Sequence, residues 1–223
     1  TASGYFDGSG DYLTLADSED WNFGSADFTF DWWVNMASMG NFIHIGQREA
    51  AFGWEILTSG SNLHFWTPSG NFGADPAGSV GDISNTWTHL AIVRYGNNLS
   101  MYKNGVSISS TDGTAGAGGA SMASVTSLVS IGARSAGSYY PYTGYMDEMR
   151  ISKGIARWTT GFTPPTAPYS TGDPATAFNR YLLSGSADIS GQPAGTSMKY
   201  KIETLNQSVS KIARVYGTSM AWA

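Results

Sequence analysis

Residues 27–36 read DFTFDWWVNM, an alternation that puts Phe28, Phe30, Trp32 and Val34 on one face. Thr29, Asp31, Trp33 and Asn35 fall on the other. A period of two belongs to a strand and not to a helix, and it sends the adjacent Trp32 and Trp33 to opposite faces. Residues 89–95 (HLAIVRY) are nearly all apolar and partly β-branched, the pattern of a strand buried on both sides. Gly96-Asn97-Asn98 turns the chain into Leu99–Lys103, and Asn104-Gly105 turns it again as a hairpin signal between alternating runs. Leu63–Thr67, Leu128–Gly132 and Tyr145–Ser152 read as further strands. No window holds a helical period with caps, so the pattern predicts an all-β chain.

Composition sharpens that picture. Glycine makes up 28 of 223 residues and charged residues 13%, as in a chain of short strands and tight turns. The length suffices for one large sandwich, alone or with a small second module. No run approaches the ~18 apolar residues of a membrane-spanning helix, so no membrane insertion is expected. There is no cysteine, which excludes disulfides and thiolate metal sites. The chain begins at Thr1, and the expectation is a processed or excised piece of a longer protein.

A boundary is expected near residue 170, where Pro164-Pro165 and Pro168 stiffen the exit and Ser170-Thr171-Gly172-Asp173-Pro174 reads as linker. Charge changes there too: residues 1–169 hold 7 Lys+Arg against 14 Asp+Glu, residues 170–223 hold 5 against 3, and the two nets, −7 and +2, sum to −5. The tail carries strand-like runs at 178–183, 197–205 and 211–216. It is small for an independent core, so it is expected to pack on the sandwich, on a partner or on its own copies. Ser109–Ser127 reads as a Gly/Ala/Ser-rich surface loop.

Three blocks carry a family likeness: YFDGSGDYLTLADSEDWNFGSADFTFDWWV (5–34), WTHLAIVRYGNNLSMYKNGV (87–106) and TGYMDEMRISKGIARWTTGFTPPTAPYS (143–170). In this order and at these separations they resemble the laminin-G-like, concanavalin A-like jelly-roll domains, and more narrowly those of bacteriophage tail and virion proteins. The tail string QPAGTSMKYKIETLNQSVSKIARVYGTSMAW resembles short C-terminal β-modules of such proteins. The expected fold is therefore an antiparallel concanavalin A-like sandwich over residues 1–169 plus a small C-terminal β-module over 170–223.

The fold alone leaves function open. Laminarinase-type hydrolases on it carry a Glu-x-Asp-x-x-Glu strand, because two carboxylates must flank the scissile bond. No such spacing occurs here. Glu55 stands alone, and Asp147-Glu148 are neighbours that a strand points to opposite faces. The reading is non-catalytic. The resemblance implies a structural Ca²⁺ where the first strand meets the last, with Asp7, the carbonyl of Gly8 and Asp147 as ligands; the competing reading makes Asp7 and Asp11 Asx-turn residues. For a glycan ligand the candidates are Trp33, Trp54, His64, Trp66, Arg134 and the tyrosines of the 138–142 loop, Tyr139, Tyr140 and Tyr142. Aromatic rings stack on sugar C–H faces while polar neighbours fix the hydroxyls. Trp87, which opens the family's WTHLA strand, is expected to be structural. Arg150, Lys153 and Arg157 are expected to pair with acidic loops at the surface. A tail net charge of +2 is too weak to argue for nucleic acid.

These readings converge on a virion-associated, extracellular adhesion or decoration protein, with host-surface glycan or neighbouring virion subunits as partners. Its tail would make it a homo-oligomer, with a trimer favoured. Two alternatives stand beside it: a purely structural virion subunit, and a secreted carbohydrate-binding module.

Overall fold

The expected alternation of DFTFDWWVNM becomes β3 (Phe28–Met36), the central strand of a computed structural model that describes residues 3–49, 52–67, 76–112, 121–122, 124–134, 139–169 and 179–181. β3 pairs on one side with β8 (Thr88–Tyr95), which continues to β9 (Asn98–Lys103) and β10 (Val106–Asp112). On its other side lies β12 (Thr143–Lys153), whose far edge takes β1 (Gly4–Asp7) and β13 (Asn179–Tyr181). The second sheet runs β2 (Leu13–Leu15), β11 (Val129–Ile131), β4 (Phe42–Glu49), β5 (Phe52–Ser59), β6 (Asn62–Trp66) and β7 (Ala77–Ser79). All these pairings are antiparallel, and the helical content of the described residues is one 3₁₀ turn, Glu19–Trp21.

The chain divides into two compact units, Thr1–Ser186 and Ala187–Ala223, the first of which includes β13. The remaining tail runs, 197–205 and 211–216, lie outside the described residues, as does any role of the tail in assembly.

The core lies between the sheets. Phe28, Phe30, Trp32 and Val34 of β3 turn inward to meet Ile45, Trp54, Ile56 and Phe65 of the second sheet. Phe30 and Trp54 rings stand 4.9 Å apart, and Phe23 closes on both Phe28 and Phe30. Each such side chain contributes about 1.5–3 kcal/mol through removal from water. Trp32 donates its indole N–H to His44 Nδ1 at 3.2 Å; burial lowers the His44 pKa to about 3, which keeps that acceptor neutral.

β8 is buried on both faces, as its sequence requires, because residues 154–169 cross the outer face of the first sheet as a strap. Trp158 and Phe162 stack at 3.8 Å and pack on Ala91, Val93 and Tyr102. The strap is pinned at its start and at its middle. Thr29 Oγ1 donates to the Ile155 carbonyl and accepts from the Arg157 N–H, and the Phe162 N–H bonds the Gly105 carbonyl at 3.0 Å. Gly105 (φ 77°) is required twice over: the Asn104-Gly105 turn needs the left-handed region, and a Cβ there would stand 1.7 Å from the Phe162 carbonyl oxygen.

Beneath the strap sits Asp31, fully buried. Arg150 grips it with two guanidinium bonds of 2.9 and 2.8 Å, His89 Nε2 approaches at 3.6 Å, and Tyr169 donates its hydroxyl to Oδ2. Arg150 is therefore not a surface residue as expected; its head group lies between Asp31 and the Tyr169 ring, 3.8 Å away. Lys153 donates to the Glu19 carbonyl and Arg157 to the Ser152 hydroxyl, so neither of those bonds goes to a carboxylate.

Burial alone would raise the Asp31 carboxyl, but hydrogen bonds from His89 and Arg150 outweigh it and hold it below the ordinary carboxylate range. A carboxyl depressed in the folded state stabilises the fold above its unfolded pKa and loses that contribution as pH falls through the folded one. Arg150→Ala strands the buried charge and should cost about 3–5 kcal/mol in urea denaturation at neutral pH. The acid-side decline in stability should also shrink in the variant, since desolvation is then opposed only by the His89 and Tyr169 hydrogen bonds. Equal urea midpoints for variant and parent would show that the clamp carries no weight.

Candidate binding depression on the second sheet

The second sheet's outer face holds a cross-strand row: Ser130 of β11 pairs with Gly46 of β4, Gly46 with Glu55 of β5, and Glu55 with Trp66 of β6. Gly46 is where the row sinks. A Cβ at that position would stand 2.7 Å from Glu55 Cγ and 2.9 Å from the Trp54 carbonyl oxygen, so its absence lets the Glu55 side chain lie across the sheet. The result is a depression of about 270 Å³ lined by Gly46, Arg48, Glu55, Leu128, Ser130 and Arg134, among others.

Glu55 organises it. Its side chain is buried, and each carboxylate oxygen is taken by guanidinium N–H groups: Arg134 Nε at 2.6 Å on Oε1, with Arg134 Nη2 and Arg48 Nη1 both at 2.7 Å on Oε2. The two arginines reach it from opposite sides of the depression's floor, and each carries an aromatic wall. The Arg48 guanidinium lies 3.8 Å from the Trp66 ring centre; that of Arg134 lies 5.3 Å from Tyr140 and 6.0 Å from Tyr139. Such cation–π contacts contribute about 0.5–2 kcal/mol each and fix the planes of both groups.

The Tyr139–Tyr140 corner is set by backbone bonds. The Arg134 N–H bonds the Tyr139 carbonyl at 3.0 Å, and the Ile43 N–H bonds the Tyr140 carbonyl at 2.9 Å. Tyr140 takes φ 49°, the left-handed region, at a cost of about 1–2 kcal/mol for a residue with a bulky side chain. The strain holds two exposed rings, Tyr139 at 59% and Tyr140 at 39% exposure, at the rim beside Arg134.

The candidate residues inferred from sequence therefore separate into three places. Trp66, Arg134, Tyr139 and Tyr140 meet around Glu55, with His64 two residues from Trp66 on the same strand face. Trp33 is half-buried on the outer face of the other sheet, its ring edge-on to His89. Trp54 and Tyr142 are core residues and drop out as ligand contacts. Trp54 faces inward because Glu55, its neighbour on β5, faces out. Tyr142 turns in against Phe6, Phe42 and His44, and its hydroxyl donates to the Tyr145 carbonyl. A proline turn thus splits its tyrosines, two out and one in. Arg48 and Glu55 were missed. The one available signal was the hairpin that pairs Gly46 with Glu55 and Arg48 with Gly53.

The structural calcium implied by the resemblance does not fit the residues proposed for it. Asp7 lies opposite Thr143, and Asp147 is four residues further along β12, roughly 13 Å away at the rise of a strand. Asp7 Oδ1 accepts the Ser9 N–H at 2.6 Å, the Asx turn of the competing reading, whereas Asp11 Oδ2 reaches back to the Asp7 N–H and makes no such turn with it. Among the described residues no three His, Cys, Asp or Glu side chains converge as metal ligands.

Two layers of antiparallel strands joined in this order define a jelly-roll sandwich of the lectin type. The family model described as the concanavalin A-like lectin/glucanases superfamily matches residues 7–157, and the chain belongs to that superfamily. No curated protein matches it. Among solved structures, domains LG4-5 of the mouse laminin alpha1 chain align over 74% of this chain and 47% of theirs, at 14% identity and TM-score 0.53. A putative carbohydrate binding protein from Bacteroides ovatus aligns over 70% of this chain and 44% of its own, at 18% identity and TM-score 0.53. Domain 4 of AbnA, an extracellular arabinanase from Geobacillus stearothermophilus solved with arabinotriose, aligns over 69% and 71%, at 17% identity and TM-score 0.53. The chain spans less than half the length of the first two. Likeness at these identities speaks to the fold.

Glu55→Gln keeps the shape of the clamp and removes its charge. We expect a loss of about 2–3 kcal/mol in urea denaturation, the scale of hydrogen bonds to a charged group, with both guanidinium groups left near the surface to be rehydrated. A change under about 0.5 kcal/mol, the ordinary range of surface substitutions, would show that Glu55 does not hold the depression together.

Proposed function

We propose that this chain is a non-catalytic glycan-recognition module whose depression on the second sheet receives a terminal sugar. The observation that carries the reading is the Glu55 clamp, which holds Arg48 under Trp66 and Arg134 beside Tyr139 and Tyr140. Rings supply stacking surface for sugar C–H faces, and part-exposed guanidinium groups supply donors for ring and hydroxyl oxygens. A volume of about 270 Å³ is at the small end for ligand pockets, which suits one sugar unit and not a long chain. Catalysis has no support in the same geometry: Glu55 has both oxygens committed to guanidinium donors, and among the described residues no second carboxylate lines the depression. The Bacteroides and AbnA relatives, named for carbohydrate binding and solved with arabinotriose respectively, support the same direction.

The test is a glycan array probed with the full chain, then titration calorimetry on the best-bound oligosaccharide. Trp66→Ala and Arg134→Ala should each weaken binding about tenfold or more, the equivalent of about 1.4 kcal/mol. Equal affinity in both variants would reject the depression as the site.

The setting we propose is a virion appendage, where residues 170–223 join copies as a trimer; the three sequence blocks and the tail string support it by resemblance. Multi-angle light scattering of the full chain at micromolar concentration should give three times the 23.7 kDa chain mass. A monomer there would overturn the assembly.

A further inference from the structure

The strap leaves part of the first sheet uncovered. It ends at Tyr169, whose N–H bonds Glu148 Oε2 at 2.8 Å, and beyond it toward β1 the outer face carries exposed rings that no other described segment crosses. Two cross-strand rows lie there. Asp147 pairs with Trp33 in the nearer row; in the next, Tyr5 pairs with Tyr145 and Tyr145 with Asn35, and Trp87 stands just before β8 beside that row. Tyr5 is 58% exposed, Tyr145 42% and Trp87 43%. Trp87 is thus not the buried structural residue its place in the WTHLA strand implies. Its ring lies 6.3 Å from Tyr145, which in turn lies 4.9 Å from Tyr5.

The fold has no need of three large rings in water. Their mutual contacts are worth about 0.5–1.5 kcal/mol each, and contiguous exposed aromatic surface usually marks a binding site. We infer that this face is a second binding platform, separate from the depression, for soluble neutral polysaccharide. Three features select that ligand. Rings make up all the apolar surface of the two rows, with Asn35 and Asp147 standing among them, an arrangement suited to the C–H faces and equatorial hydroxyls of a pyranose chain. Cores of protein–protein interfaces carry methionine and arginine beside their aromatic residues, and these rows contain neither. Charge comes next: Asp147 and Asp7, which continues the face at its Thr143 pairing, are carboxylates, and these rows contain no lysine or arginine, so an anionic glycan is repelled. Last is ring tilt. Tyr5 and Tyr145 meet at 47°, as do Trp87 and Tyr145, so neighbouring rings are never coplanar. A flat crystalline surface cannot touch them together, whereas a twisting chain in solution can.

The experiment is native affinity electrophoresis of the full chain through gels containing mixed-linkage β-glucan, laminarin, arabinan or hydroxyethylcellulose, with alginate as the acidic polymer and sedimentation with microcrystalline cellulose beside it. At least one neutral polymer should retard the chain. That retardation should fall tenfold or more in Trp87→Ala/Tyr145→Ala, persist in Tyr145→Phe, which keeps the ring, and persist in Trp66→Ala, which tests the depression. Microcrystalline cellulose should not sediment it. The inference is overturned if no neutral polymer in the panel retards the chain, or if the double variant, shown folded by circular dichroism, is retarded as strongly as its parent. It is equally overturned if the double variant instead changes mass in sedimentation velocity, which would make the face a contact between copies. Because the two sites are probed by different substitutions, loss in Trp66→Ala alone would retain the depression and reject the platform.

Discussion

Everything on the first sheet depends on one buried charge. Asp31 sits on the central strand at a position the alternation assigns to the outer face, where solvent would ordinarily hydrate it. The strap removes that solvent, and a lone carboxylate there would be costly. Arg150 from β12, His89 from β8 and Tyr169 from the strap's end each come to it from a different element. The cluster therefore measures whether three strands and the strap are in register at once. A register slip of one residue on β12 would turn Arg150 inward and leave Asp31 without its main partner. A buried ion pair of this kind is weak evidence for net stability but a strong constraint on which arrangement is adopted.

The same device appears on the other sheet with a different outcome. Glu55 is also a buried carboxylate held by guanidinium groups, and its partners come from β4 and from the segment following β11. Here, among the described residues, no strap covers the pair. Arg48 and Arg134 side chains keep 23% and 20% of their surface exposed, against 6% for Arg150. One clamp closes a face and the other leaves a face in contact with solvent, with rings held in place around a shallow floor. The difference follows from residues 154–169, which after β12 cross the first sheet.

Much of the fold was legible from local pattern. The period of DFTFDWWVNM fixes β3 and separates Trp32 from Trp33, and the unbroken apolar run of HLAIVRY anticipates a strand covered on both sides before its cover is known. Sites were less legible because they are assembled across strands. Arg134 and Glu55 are 79 positions apart, and nothing near either one names the other. The Asp7–Asp147 pairing failed for the same reason in reverse: both residues lie in the strands that meet, but the register sets them apart. Tyr142 shows the limit of reading a turn by composition, since three tyrosines around a proline look alike until β12 begins and its alternation claims one for the core.

Trp87 carries this point furthest. Its place at the head of a buried strand suggests a core residue, and the following Thr88, at 1% exposure, is one. Alternation then requires Trp87 to face outward, beside Asn35 and Tyr145. The strap covers the outer face only as far as Tyr169, so whether an outward residue is buried depends on how far along the sheet it lies. His89, two residues further on, is covered by Trp158 and Phe162; Trp87 is not. A strand that obeys one alternation thus presents the same face first to solvent and then to the protein's own interior. The length of the strap, more than the identity of the residues beneath it, decides which aromatic groups are free to meet a ligand.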